Sequence, residues 1–223
     1  MRSTSFFVGA SVIALLAGAA CAAPTIAYQV NAASSGNYDW ADPLGLDFDV
    51  NSPNGVVITR IGVFDSNQDG LNRPITFVLY NRATQAVVIG PTVFEGNAGT
   101  LVGGNRFIDV PDVTLPAGFE GTVVGENYAP GESYYDIGAP PGASGAGAST
   151  MNDGGGLINF VGLGRYGPDA NGANRGRFPT EIDIGPANRY STGTFEFDVV
   201  PEPASASFLG AAAGLLFFRR RRR

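Results

Sequence analysis

Apolar and polar positions alternate over short stretches through most of this chain. In Leu44 to Val50 (LGLDFDV), Leu46, Phe48 and Val50 oppose Asp47 and Asp49, a period of two that gives a strand one burial face. Thr194 to Val199 (TFEFDV) repeats the pattern with Phe195, Phe197 and Val199 on one side. Val56 to Phe64 is rich in Val and Ile, interrupted by Arg60 and Gly62, and Ile75 to Tyr80 (ITFVLY) is almost wholly apolar, as in a central strand. Shorter strands are predicted at Thr25 to Asn31, Ala86 to Ile89, Thr92 to Phe94, Arg106 to Val110 and Leu157 to Leu163. Another, Thr122 to Asn127, follows the turn Leu115-Pro116-Ala117-Gly118. No segment between the two ends sustains a helical i, i+3, i+4, i+7 stripe. The expectation is an all-β fold, an antiparallel β-sandwich of roughly eight to ten short strands, jelly-roll-like.

The ends follow a different pattern. After Arg2, Phe6 to Ala20 is apolar and uncharged, and Ala20-Cys21-Ala22 fits a small-x-small cleavage site, so residues 1–22 read as a signal peptide with a helical core. A lipidation reading centred on Cys21 lacks the expected upstream Leu. At the other end Val200-Pro201-Glu202-Pro203 leads into the apolar run Ala204 to Phe218 and five consecutive arginines, Arg219, Arg220, Arg221, Arg222 and Arg223. As a helix that run spans about 22 Å. A hydrocarbon core of about 30 Å calls for about 20 residues, so the run suits a transient insertion better than a permanent anchor, with the arginines held on the cytoplasmic side.

Pro201-Glu202-Pro203, the apolar helix and the terminal Arg cluster together resemble the PEP-CTERM sorting signal of Gram-negative bacteria. The resemblance implies export by signal peptidase, then recognition and removal of the tail (residues 200–223) by an exosortase, a membrane cysteine protease. It further implies transient residence in the inner membrane and release to the cell surface or extracellular matrix, often in company with exopolysaccharide. The order Ile61-Gly62-Val63-Phe64-Asp65, then Asp69-Gly70-Leu71, then Leu115-Pro116-Ala117-Gly118 is similar to uncharacterised β-sandwich ectodomains carried by PEP-CTERM proteins.

Removal of both ends leaves one domain of ordinary size, residues 23–199. The whole chain carries a net charge of −6, but 19 carboxylates against eight arginines leave about −11 between the two ends, with no lysine. That balance excludes phosphate-neutralising nucleic-acid binding. The stretches 138–156 and 164–176 are Gly-rich and read as loops within one domain.

Candidate chemistry is sparse. The chain has no histidine, so Ser-His-Asp and Cys-His arrangements cannot form, and the single Cys lies in the signal segment. Asp65-Ser66-Asn67-Gln68-Asp69-Gly70 matches the first half of a calcium loop, with Asp65, Asn67 and Asp69 as Ca2+ ligands. The EF-hand's closing Glu is absent, and the same residues also satisfy a hairpin connection. Trp40, among Asp39, Asp42, Asp47 and Asp49, is either a sugar-stacking platform or a core-edge Trp, and Tyr134-Tyr135 offers a similar option. The expected function is therefore a non-enzymatic surface or matrix protein, structural or adhesive within exopolysaccharide. A carbohydrate-binding module is the alternative, and a glycoside-active enzyme using two carboxylates is the third reading.

Overall fold

The structure, a computed structural model, describes residues 24–138, 149–169 and 171–200. The signal segment lies outside the described residues, as do both expected flanking helices. So does the whole sorting motif: Pro201, Glu202 and Pro203, and the arginines Arg219, Arg220, Arg221, Arg222 and Arg223. Among the described residues, no helix is long and apolar enough to cross a membrane.

Fifteen strands follow in order: β1 (Thr25–Ile26), β2 (Tyr28–Val30), β3 (Leu44–Val50), β4 (Val56–Phe64), β5 (Leu71–Asn81), β6 (Val87–Gly96), β7 (Thr100–Val102), β8 (Asn105–Leu115), β9 (Glu120–Glu126), β10 (Tyr135–Asp136), β11 (Ser149–Met151), β12 (Ile158–Tyr166), β13 (Glu181–Asp183), β14 (Tyr190–Ser191) and β15 (Gly193–Val199). They form a five-stranded sheet in the order β1-β15-β4-β8-β7 and a six-stranded sheet in the order β13-β12-β3-β9-β5-β6. Two small pairs, β10 with β14 and β11 with β2, complete the set. The pairings within both large sheets are antiparallel.

The two large sheets share one core, an arrangement consistent with a β-sandwich. Period-two alternation explains why. Leu46, Phe48 and Val50 of β3 are buried, as are Phe195 and Phe197 of β15, and the Phe48 and Phe195 rings meet across the two sheets at 4.8 Å. The outward Glu196 of β15 instead bonds Arg60 of β4 at 3.2 Å, and the Arg60 guanidinium lies over the Phe107 ring. Strand β9 runs against β3 so closely that a Cβ on Gly121 would lie 2.4 Å from the Phe48 ring. A side chain there would open the centre of the core.

The wholly apolar appearance of Ile75 to Tyr80 has a specific cause. Ile75, Phe77 and Leu79 face the shared core, whereas Val78 and Tyr80 form a second cluster with Val124 on the opposite face, covered by Phe178. Both faces of β5 are therefore dry at this point. Asp47 departs from its expected polar, outward setting. It stays on the outer face of β3, but it is only 1% exposed and accepts bonds from Thr122 Oγ1 at 2.6 Å and Arg165 Nε at 2.8 Å.

Several elements differ from expectation. The stretches at Ala86 to Ile89 and Thr92 to Phe94 are one strand, β6, running through Gly90-Pro91 at the sheet edge. Strand β12 continues to Tyr166, three residues into the expected second loop, and β11 lies inside the first.

Truncating Phe195 removes the ring that bridges the sheets. Phe195→Ala is expected to destabilise the domain by about 3–5 kcal/mol, read as a lower urea midpoint at unchanged slope.

Candidate functional site

Trp40 and four tyrosines surround a surface recess of about 370 Å³. The backbone N–H of Trp40 bonds Tyr128 O at 2.8 Å, which places residue 40 beside the end of β9, just before β3 begins. The indole Nε1 donates to Gly167 O at 3.2 Å, and the ring stands edge-on to Tyr166 at 5.8 Å. Tyr38 is bridged to Tyr134 through the backbone, its ring edge-on at 6.0 Å, and Tyr134 stands in the same relation to Tyr190. The buried Leu44 closes the bottom. Ile182 and Ile184 form a lip, and Ile184 is 91% exposed. A concave, aromatic wall with several polar groups among the rings is what a small-ligand site requires.

The polar groups belong to one network. Arg189 donates from Nε and Nη2 to Asp136 at 3.0 and 2.8 Å and from Nη1 to Asp183 at 2.9 Å. The Tyr190 hydroxyl donates to Asp183, and the Tyr134 hydroxyl to Asp136 at 3.2 Å. Burial, reinforced by the adjacent carboxylates, drives both phenols well above their ordinary range. Burial alone would raise Asp183, but the Tyr190 hydroxyl, the Gly185 N–H and Arg189 together hold its carboxyl below the ordinary value. The hydrogen bonds to Asp136 and the charges of both acids raise Arg189 despite its partial burial.

The segment after β12 fixes the Trp40 side of the wall. Buried Asp42 accepts from the backbone N–H groups of Asp169 and Asn174 at 3.0 and 2.9 Å and from Asn174 Nδ2 at 2.7 Å. Glu126 accepts from Gly176 N at 2.8 Å, and burial raises its carboxyl. Asp39, Asp42, Asp47 and Asp49 therefore do not form one acidic surface around Trp40. Asp39 bonds Ser133, Asp42 caps this segment, and Asp47 and Asp49 bind Arg165 and Arg82. Tyr134 lines the recess. Tyr38, Tyr166, Asp183, Arg189 and Tyr190 also line it, although no motif marks them in the sequence.

The calcium-loop residues have another arrangement. Asp65 is fully buried and receives Arg106 Nε at 2.5 Å and Gly70 N at 3.3 Å, whereas Asn67 and Asp69 are exposed. Burial leads in raising the Asp65 carboxyl. The turn between them is tied from outside. Gln68 accepts from Ala33 N and donates to Ser34 O, and Ser66 Oγ accepts from Gly36 N. Glu132, fully buried, accepts from Ser66 N at 2.8 Å and Asn72 N at 2.9 Å, so one carboxylate clamps both ends of the turn. Among the described residues, no group of three or more His, Cys, Asp or Glu is gathered to hold a metal ion.

No protein-family model matches the chain, and no solved structure gives a significant match. Two curated proteins are similar over part of their length. UDP-GalNAc:beta-1,3-N-acetylgalactosaminyltransferase 2 of Xenopus laevis is 32% identical over 112 residues, covering 48% of this chain and 20% of that protein. The Xenopus tropicalis protein of the same name is 37% identical over 76 residues, covering 34% and 16%. The chain spans a fifth or less of the length of these relatives.

Two outcomes follow from the clamped turn. Burial, with Asp65 and Asp69 nearby, pushes Glu132 up from 4.5 to about 7. A carboxyl raised on folding contributes stability that is complete below about 4.5 and disappears as pH rises through about 7. The wild type should therefore lose on the order of 3 kcal/mol relative to Glu132→Gln between these limits, measured as the difference between their denaturation midpoints across pH. Because Arg106 occupies Asp65, millimolar calcium or EDTA should leave the melting temperature unmoved, whereas a calcium-dependent rise would show that the loop rearranges to bind the ion.

Proposed function

We propose that this chain is an exported, non-enzymatic β-sandwich protein of the cell surface or extracellular matrix, structural or adhesive in association with exopolysaccharide. On this reading the polysaccharide is held in the recess around Trp40. The observation that carries it is the aromatic wall. Sugar rings present C–H faces that pack on aromatic rings, and the partly exposed Trp40 and Tyr38 supply such rings beside hydroxyl and carboxylate groups. The carbohydrate-binding alternative thus becomes the means by which a matrix role is performed.

The export half of the proposal rests on the terminal signals. Signal peptidase acts at residue 22, and an exosortase acts on Pro201-Glu202-Pro203. Arg219, Arg220, Arg221, Arg222 and Arg223 hold the apolar segment briefly in the inner membrane. Residues 1–22 and 200–223 are then the signal segments flanking the domain. The jelly-roll-like description is supported by the way long strands cross repeatedly between sheets, as in β3 to β4, β4 to β5, β6 to β8 and β8 to β9. The glycosyltransferase named in the comparisons supports no enzymatic reading, because the overlap is a fifth or less of that protein.

The binding test is a glycan array probed with the secreted protein and with Trp40→Ala. Retention of specific glycans by the wild type and at least a tenfold loss in the variant, with the far-UV β-sheet signal retained, is the expected result. Binding that survives Trp40→Ala places the glycan elsewhere. For export, intact-mass analysis of the secreted protein should show mass lost from both ends; a secreted species still bearing Arg219 to Arg223 would overturn the sorting step.

A further inference from the structure

We infer that the recess selects an uncharged sugar and rejects uronic acids and other anionic glycans; this rests on the proposal that the recess binds a glycan. Among the described residues, Arg189 is the one cation lining it. All three of its guanidinium nitrogens already donate to protein acceptors, two to Asp136 and one to Asp183, and its flat face lies over the Tyr190 ring at 5.3 Å. One guanidinium therefore meets two carboxylates, and the local balance is negative. The surrounding domain carries the same sign.

A sugar carboxylate entering here would find no unengaged cation and would stand beside the Asp183 oxygens. Like charges a few ångströms apart in a partly dry site repel strongly. A neutral sugar meets no such penalty. Its C–H face has Trp40 and the exposed aliphatic lip at Ile182 and Ile184 to pack against. Its hydroxyls can donate to the partly exposed Asp183 carboxylate, whose role becomes that of a hydrogen-bond acceptor. Specificity is then set by repulsion of the wrong ligand as much as by attraction of the right one.

The test uses the secreted, processed protein in EDTA, so that no divalent ion bridges carboxylates. Neutral oligosaccharides of glucose, galactose and mannose are compared with matched uronic-acid oligomers by calorimetry at low and high salt. The expected result is binding of at least one neutral oligomer, at least tenfold weaker binding of its uronate counterpart at low salt, and a narrower gap at high salt as screening removes the repulsion. Both should weaken in Tyr38→Ala, a residue 37% exposed at the mouth, whose loss spares the core. Equal or tighter uronate binding that still depends on Tyr38 and Trp40 overturns this inference and leaves the glycan-binding proposal standing. Absence of binding to any oligomer, or binding indifferent to both substitutions, overturns the proposal and the inference together.

Discussion

Burial of carboxylates is the constraint around which the loops of this molecule are arranged. Asp42, Asp47, Asp65, Glu126, Glu132 and Asp136 are each less than 5% exposed, in a domain with no lysine and eight arginines. An unpaired buried charge is strongly unfavourable, so every one of these groups dictates what lies next to it. Three are met by guanidinium groups: Asp47 by Arg165, Asp65 by Arg106 and Asp136 by Arg189. The other three are met by N–H donors of neutral loops, which converge on Asp42, Glu126 and Glu132. The Gly-rich connections thereby acquire fixed paths without contributing much apolar surface of their own.

This division also explains the recess. Asp42 holds Asp169 and Asn174, and Glu126 at the end of β9 holds Gly176, which puts Gly167 O where the Trp40 indole can reach it. Asp136 and Asp183 fix Arg189 and, through their hydroxyl donors, Tyr134 and Tyr190. The aromatic wall is thus held in shape before any ligand arrives, which lowers the entropy that binding would otherwise have to overcome.

The strands are legible because burial of one face writes itself into the sequence every second residue. Leu44–Val50 and Val56–Phe64 coincide with β3 and β4, and Phe195 and Phe197 point inward as their alternation demands. Strands of two or three residues, such as β10, β13 and β14, carry no period long enough to read. Strand β6 reads as two pieces because Gly90-Pro91 is ordinary turn punctuation, tolerated here on a sheet edge. The site is less legible for a related reason. Trp40 stands out by rarity, but Tyr38, Tyr166 and Arg189 come together only through contacts spanning most of the chain. Asp65, Asn67 and Asp69 form a convincing string of oxygens, yet a linear motif does not reveal that an arginine 41 residues away occupies the first of them.

The position of β15 has a temporal consequence. It is the last strand of the domain, yet it lies between β1 and β4 rather than at an edge, and it carries two of the rings that fill the centre. Until residues 193–199 emerge, β4 has no neighbour on one side, and Phe48 lacks the Phe195 ring it meets from the opposite sheet. A nascent chain is therefore held short of its native state by its own topology until that strand is available. Assembly is completed only when the final segment has been delivered.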